Sequence, residues 1–144
     1  MPSPATLEDK DLRSVQEVRR KVELAYEASL EFREFSQEQV DAIIDRAAEA
    51  ARQNSERLAR LAVEETGYGN VRDKTIKNLL NCDVLHREIR PLKTVGVIRE
   101  DHDRGIIEIA EPVGVVAAIL PTTNPTSTAI FKILICLKAR CAVV

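Results

Sequence analysis

Glu111 to Val144 reads EPVGVVAAILPTTNPTSTAIFKILICLKARCAVV, and this stretch decides the fold. Val113 to Leu120 carries no charge and, Gly114 apart, consists of Val, Ala, Ile and Leu without polar alternation. That pattern suits a strand buried on both faces of a parallel sheet. Pro121 to Pro125 (PTTNP) then interrupts regular structure, because each proline fixes its own φ and biases the residue before it away from helix. Thr126 or Ser127 is placed to cap a following helix, whose apolar positions Ile130, Ile133, Leu134 and Leu137 keep helical spacing. Cys141 to Val144 resumes the β pattern, so a βαβ unit is nearly complete. Ligands of open α/β sheets gather beyond the carboxyl ends of the strands, which makes the PTTNP loop the first place to expect chemistry.

Immediately upstream, Thr94 to Arg99 (TVGVIR) and Gly105 to Ala110 (GIIEIA) are β-rich and flank EDHDR, which predicts a hairpin with a charged tip. A lone two-stranded hairpin is marginal in water, so it needs support from elsewhere in the protein or from another subunit. The first ninety or so residues predict helix after helix. One runs from about Leu7 to Phe32 behind an irregular MPSPAT, with Leu12, Val15, Val18, Val22, Ala25 and Leu30 as its apolar stripe. Ser36 opens a capping box with Gln39, followed by Val40, Ile43, Ile44, Ala47, Ala48 and Ala51. Asn54 or Ser55 can cap a third helix carrying Leu58, Leu61 and Ala62, which Gly67 ends in the left-handed conformation. Tyr68 to Asn70 is a turn. A fourth helix from about Val71 to Ile89 carries Ile76, Leu79, Leu80 and Leu85 until Pro91 stops it, and all these stripes are expected to cover a core.

A net charge of −2, from 21 Lys plus Arg against 23 Asp plus Glu, gives no reason to expect nucleic acid as a partner. Every acid falls at or before Glu111, and beyond it only Lys132, Lys138 and Arg140 are charged. The helix macrodipole favours cations there, which accounts for them. No run is long enough to span a membrane and the start has no secretory core, which fits a cytoplasmic protein. Cys82, Cys136 and Cys141 form no CxxC pair, so neither a metal cluster nor a disulfide framework is expected, and each is expected to be structural. His86 and His102 are expected to be solvated. With only two parallel strands in sight and an unblunted β edge at Ala142 to Val144, the chain reads as the amino-terminal part of something longer.

The run EIAEPVGVVAAILPTTNPTSTAIFKILICLKAR, together with SQEQVDAI, ETGYGNVRDKTIKN and VGVIREDHDRGIIEIAEP, resembles the start of the CoA-acylating aldehyde dehydrogenases. These include acetaldehyde dehydrogenases and the aldehyde dehydrogenase half of bifunctional aldehyde-alcohol dehydrogenases. The resemblance covers about residues 7 to 144 and implies an α/β fragment of the aldehyde dehydrogenase fold. Residues 1–93 would be the amino-terminal helical region, 94–110 a hairpin that helps the enzyme form a homo-oligomer, and 111–144 the truncated start of the NAD-binding domain. The implied reaction takes a short aldehyde, CoA and NAD⁺ reversibly to acyl-CoA and NADH through a cysteine thiolate. That nucleophile lies in a later domain of the family, and none of the three cysteines here matches it.

By the same resemblance Asn124 is the residue whose amide helps hold the oxyanion, a task suited to a neutral donor that does not titrate near pH 7. The wider superfamily places its asparagine one position nearer the first proline, where this chain has Thr123. Ile119, Leu120, Pro121, Thr122 and Thr123 would border the nicotinamide end of NAD. No GxGxxG follows the buried strand and the helix opens Thr126-Ser127-Thr128, so a glycine-cradled pyrophosphate is not expected. Two other readings stand beside this one. An enzyme of the same fold could act on sulfoacetaldehyde or succinate semialdehyde, or the helices, hairpin and sheet edge could form a non-enzymatic interaction module.

Overall fold

The computed structural model describes residues 9–144, so the expectations for MPSPAT and for a helix starting at Leu7 lie outside the described residues. Helix α1 (Lys10–Phe32) starts where the Asp9 side chain accepts the Asp11 and Leu12 amides. Helix α2 (Gln37–Gln53) begins in the expected capping box, with Ser36 and Gln39 each bonding the other's amide. Helix α3 (Ser55–Thr66) ends at Gly67, whose φ of 69° is the left-handed geometry expected there. Asn54 takes the N-cap position of α3, one of the two expected, but makes no side-chain cap bond. Asn54 Nδ2 donates to Ala50 O and Ser55 Oγ to Ala51 O, so both side chains turn back onto α2.

The single fourth helix expected from the sequence is divided. Helix α4 (Val71–Leu80), capped by Asn70 Oδ1 on the Asp73 amide, runs through a π-helical turn at Asn81–Leu85 into the short α5 (His86–Ile89). A π turn frees carbonyls from the regular ladder, and here Arg52 Nη2 takes the Cys82 carbonyl at 2.9 Å. The wider turn also seats Cys82 in the core, where it meets Ile44 and Ala48 of α2 and Ile130 and Leu134 of α6 (Pro125–Lys138).

Strands β1 (Gly96–Asp101) and β2 (Ile106–Ala110) form the expected antiparallel hairpin, with a bulge between Val97 and Arg99. Strands β3 (Val115–Val116) and β4 (Ala142–Val143) pair in parallel on either side of α6, which completes the expected βαβ unit. The regular part of β3 is shorter than the charge-free run that predicts it. Its backbone nonetheless stays in register on both sides, through Ala142 N to Gly114 O at 2.9 Å and Ala118 N to Val144 O at 2.7 Å.

The cations after Glu111 correct the macrodipole account. Lys138 is 3% exposed and its Nζ bonds Asp41 Oδ1 of α2 and the Arg90 carbonyl. Arg90 reaches Asp41 Oδ2 at 2.9 Å, so both carboxylate oxygens of a buried acid are paired. Arg140, also buried and at a φ of 54°, donates to the carbonyls of Arg33 and Ala110. It thereby ties α1 and the end of the hairpin to the turn that follows α6.

Several apolar stripes do not cover a core within the described residues. Leu12, Val15, Val18, Val22 and Leu30 of α1 are exposed, as are Ile76 and Leu80 of α4 and Ile133 of α6. Both faces of the hairpin are open too, Ile106 at 47% on one and Ile107 at 62% on the other. His86 departs from the solvated expectation, because its Nε2 lies 2.8 Å from Asp45 Oδ1 and its side chain is largely covered. Partial burial alone would raise the Asp45 pKa, but the bonds from His86 and Arg90 outweigh it and hold the carboxyl below its ordinary value. His102 is exposed at the hairpin tip, as expected.

Removing one partner of a buried ion pair leaves the other desolvated and unpaired, at a cost of about 3 to 5 kcal/mol. Asp41→Ala should therefore lower the unfolding free energy by roughly that amount, with the midpoint in urea as the readout. Asp41→Leu combined with Lys138→Met should recover most of the loss. Equal midpoints for wild type and Asp41→Ala would show that the pair contributes nothing.

Candidate functional site

Lys74, Lys77 and Asn78 of helix α4 and Asn81, the first residue of the π turn, have the spacing that puts them on one face, and that face grips the PTTNPTS loop. Lys74 Nζ donates to the Thr123 carbonyl at 2.6 Å, and Lys77 Nζ to Asn124 Oδ1 at 3.0 Å. Asn78, fully buried, donates from Nδ2 to Ser55 O and accepts at Oδ1 from Thr126 Oγ1. Asn81 Nδ2 reaches Ser127 O at 2.8 Å. Apart from the Asn78 bond to Ser55 O of α3, each takes a polar group of the loop or of the first turn of α6. The loop is held as a unit against α4 instead of lying free on the surface.

These bonds revise the expected cap. Helix α6 starts at Pro125, a residue already set for the first helical position, and Asn124 is its N-cap without any side-chain cap bond. Thr126 and Ser127 lie inside the helix, Thr126 spending its hydroxyl on Asn78. A loop asparagine in a purely structural role turns its oxygen onto a nearby backbone amide. Asn124 gives that oxygen to Lys77 instead. Among the described residues none accepts a bond from its Nδ2, which leaves an amide donor available at the carboxyl end of a parallel strand.

Thr123 and Asn124 border a cleft of about 480 Å³ whose opposite wall is the Tyr68 to Asn70 turn with Asp73, Lys74, Ile76 and Lys77 of α4. The other expected residues lie elsewhere on the loop. Ile119, Leu120, Pro121, Thr122 and Thr123 are all exposed, and the Ile119 carbonyl accepts from Lys132 Nζ. Leu120 lines a separate apolar depression of about 210 Å³ with Ala129, Ile133 and Val143. A neutral donor beside two ammonium groups can stabilise a developing negative charge on a small ligand. All three cysteines are buried and free, and burial raises the Cys82 and Cys136 thiols above the ordinary range.

The sequence reading finds the loop and misses its clamp. Lys74, Lys77 and Asn78 sit in the ETGYGNVRDKTIKN segment and Asn81 lies three residues beyond it, where a polar stripe reads as a solvated helix face. The available signal was Asn78 lying between apolar positions, since an amide buried among them needs specific partners. Among the described residues no group of three or more His, Cys, Asp and Glu could hold a metal, and no helix is long and apolar enough to cross a membrane.

The aldehyde dehydrogenase family model matches residues 5–144. The chain is 47% identical over 131 residues to the bifunctional aldehyde-alcohol dehydrogenase AdhE of Escherichia coli K12, covering 91% of this chain and 15% of that protein. The solved acetylating aldehyde dehydrogenase of Geobacillus thermoglucosidasius is 51% identical with a TM-score of 0.93, covering 95% of this chain and 30% of that one. The propionaldehyde dehydrogenase of Rhodopseudomonas palustris, solved with bound propionyl-CoA, is 29% identical with a TM-score of 0.69, over 99% of this chain and 32% of that one. This chain thus spans less than a third of either solved relative, and its likeness to acylating members extends over nearly all its own length. With its helices, hairpin and loop-bearing βαβ unit, the chain belongs to the aldehyde dehydrogenase family.

Proposed function

We propose that this chain supplies the amino-terminal helices, hairpin and first βαβ unit of a CoA-acylating aldehyde dehydrogenase. That enzyme takes a short aldehyde, CoA and NAD⁺ to acyl-CoA and NADH. The observation that carries the reading is the Asn124 side chain, whose oxygen is held by Lys77 while its Nδ2 stays available. Attack of a thiolate on an aldehyde turns the carbonyl oxygen into an alkoxide, and a neutral amide N–H aimed at that oxygen stabilises it without giving up a proton. The nucleophile itself belongs, by the resemblance, to a later domain. Burial and raised thiol pKa values of Cys82 and Cys136 support keeping them out of that role.

NAD would supply the hydride acceptor. Its nicotinamide end would lie along Ile119 to Thr123, where exposed Ile119 and Leu120 offer an apolar surface and Thr122 and Thr123 offer hydroxyls. The propionyl-CoA of the Rhodopseudomonas relative supports CoA as co-substrate. The enzyme would be a cytoplasmic homo-oligomer. The open apolar faces of the hairpin favour assembly through it, and free buried cysteines suit a reducing compartment.

On this reading the isolated 144-residue chain forms no acyl-CoA, and CoA-dependent NADH production by it would contradict the assignment. In the full-length enzyme, Ile106→Lys with Ile109→Lys should dissociate the oligomer, whereas an unchanged sedimentation profile would remove the hairpin from the interface. Asn124→Ala should slow thioester formation by on the order of 10²-fold to 10³-fold with little change in NAD affinity. Thr123→Ala should be nearly neutral in the same pre-steady-state assay. The reverse pattern would move the oxyanion donor one residue back.

A further inference from the structure

We propose that Lys77 is a positioning residue for the chemical step. Its ammonium, bound to Asn124 Oδ1, fixes which end of that amide faces the reacting oxygen and strengthens its N–H groups as donors. The proposal rests on the reading of Asn124 as the oxyanion donor and extends it to a group that touches no substrate.

The two ends of an asparagine side chain are nearly equal in shape, and its terminal torsion is soft, so packing alone chooses poorly between them. Presenting oxygen instead of nitrogen to a forming alkoxide would turn a stabilising contact into a repulsive one. An ammonium has three donors and no acceptor, so it can bond only the oxygen end. Lys77 Nζ is 3.0 Å from Asn124 Oδ1, a hydrogen-bonding distance for a charged donor. A cation at the amide oxygen also draws electron density from the nitrogen and polarises its N–H bonds, as chained hydrogen bonds do.

The neighbouring lysine separates this role from loop support. One turn earlier on α4, Lys74 is buried and its Nζ holds the Thr123 backbone carbonyl at 2.6 Å. The backbone entering Asn124 is thus fixed by Lys74, and Asn78 and Asn81 hold the backbone and side chains beyond it. Lys77 is exposed, and its ammonium bonds the one loop side chain with an available amide donor. Removing it leaves the other three clamps in place.

The test compares wild-type full-length enzyme with Lys77→Met, Lys77→Arg, Asn124→Ala and the Lys77→Met, Asn124→Ala double variant. The readouts are the pre-steady-state rate of thioester formation, NAD affinity and thermal midpoint. Lys77→Met should slow the step by about tenfold to a hundredfold, the scale of a misplaced catalytic group, with NAD affinity and midpoint near wild type. Lys77→Arg, which keeps a donor-only cation, should retain most of the rate. In the Asn124→Ala background, Lys77→Met should cost nothing further, because the group it orients is gone. A wild-type rate for Lys77→Met beside a slow Asn124→Ala overturns this proposal alone. So does an equal loss in both backgrounds, or a rate loss that tracks a fallen midpoint and is not restored by arginine. A wild-type rate for Asn124→Ala overturns the oxyanion reading, and this proposal with it.

Discussion

The buried pair between Lys138 and Asp41 is the constraint on which the rest of the arrangement depends. It joins the last residue of α6 to the first turns of α2, across 97 positions of sequence. Lys138 contributes more than its charge. Its ammonium also takes the Arg90 carbonyl, and its own carbonyl accepts the Thr94 hydroxyl at 2.6 Å. The Thr94 amide in turn donates to Gln37 Oε1, and Gln37 Nε2 donates to Asp41 Oδ1. The carboxyl end of α6, the start of α2, the exit from α5 and the root of the hairpin are therefore one polar knot. A desolvated knot of this kind tolerates few alternatives, because any member that shifts leaves a partner unpaired.

From that fixed end the helix carries its position back to the loop. Ile130 and Leu134 of α6 pack with Ile44 and Ala48 of α2 and with Cys82 in the π turn. The same α4 that leads into the π turn presents the stripe from Lys74 to Asn81 to the amino end of α6. The loop thus lies between two helices whose relative placement is set by an apolar core at one level and an ion pair at another. Precision in a site comes from such support, since loop side chains alone rarely hold a donor within the tolerance that chemistry needs.

Much of this was legible in the sequence, for identifiable reasons. The charge-free run after Glu111 and the PTTNP break report a strand and the loop at its carboxyl end, because an uncharged β-rich run and proline geometry leave local marks. The expected burial on both faces is not met among the described residues, where Val115 and Val116 are half-buried and Val113 and Ile119 exposed. Ser36 with Gln39, and Gly67, mark helix ends through backbone needs that few residues meet. What stayed illegible depends on partners distant in sequence. Lys138 looks like any cation at a helix end until Asp41 is brought beside it, and the α4 stripe looks solvated until the loop folds over it. The opposite error concerns Leu12 to Leu30 of α1 and Ile76 and Leu80 of α4. Their spacing reports an apolar face correctly, but it does not say which surface covers that face, and no described residue buries it.

The same logic explains why the clamp is polar. An apolar α4 face would hold the loop by contact area and would be indifferent to the orientation of an amide. Lysine and asparagine bond only to groups of the right sense, so each fixes an orientation as well as a distance. Asn78 shows the cost being met, since a fully buried amide is tolerable only because Ser55 O and Thr126 Oγ1 use both of its ends. Asn124 differs from it at one atom. Its oxygen is used by Lys77, and among the described residues its nitrogen has no acceptor, so the polar network that fixes the loop stops at that donor.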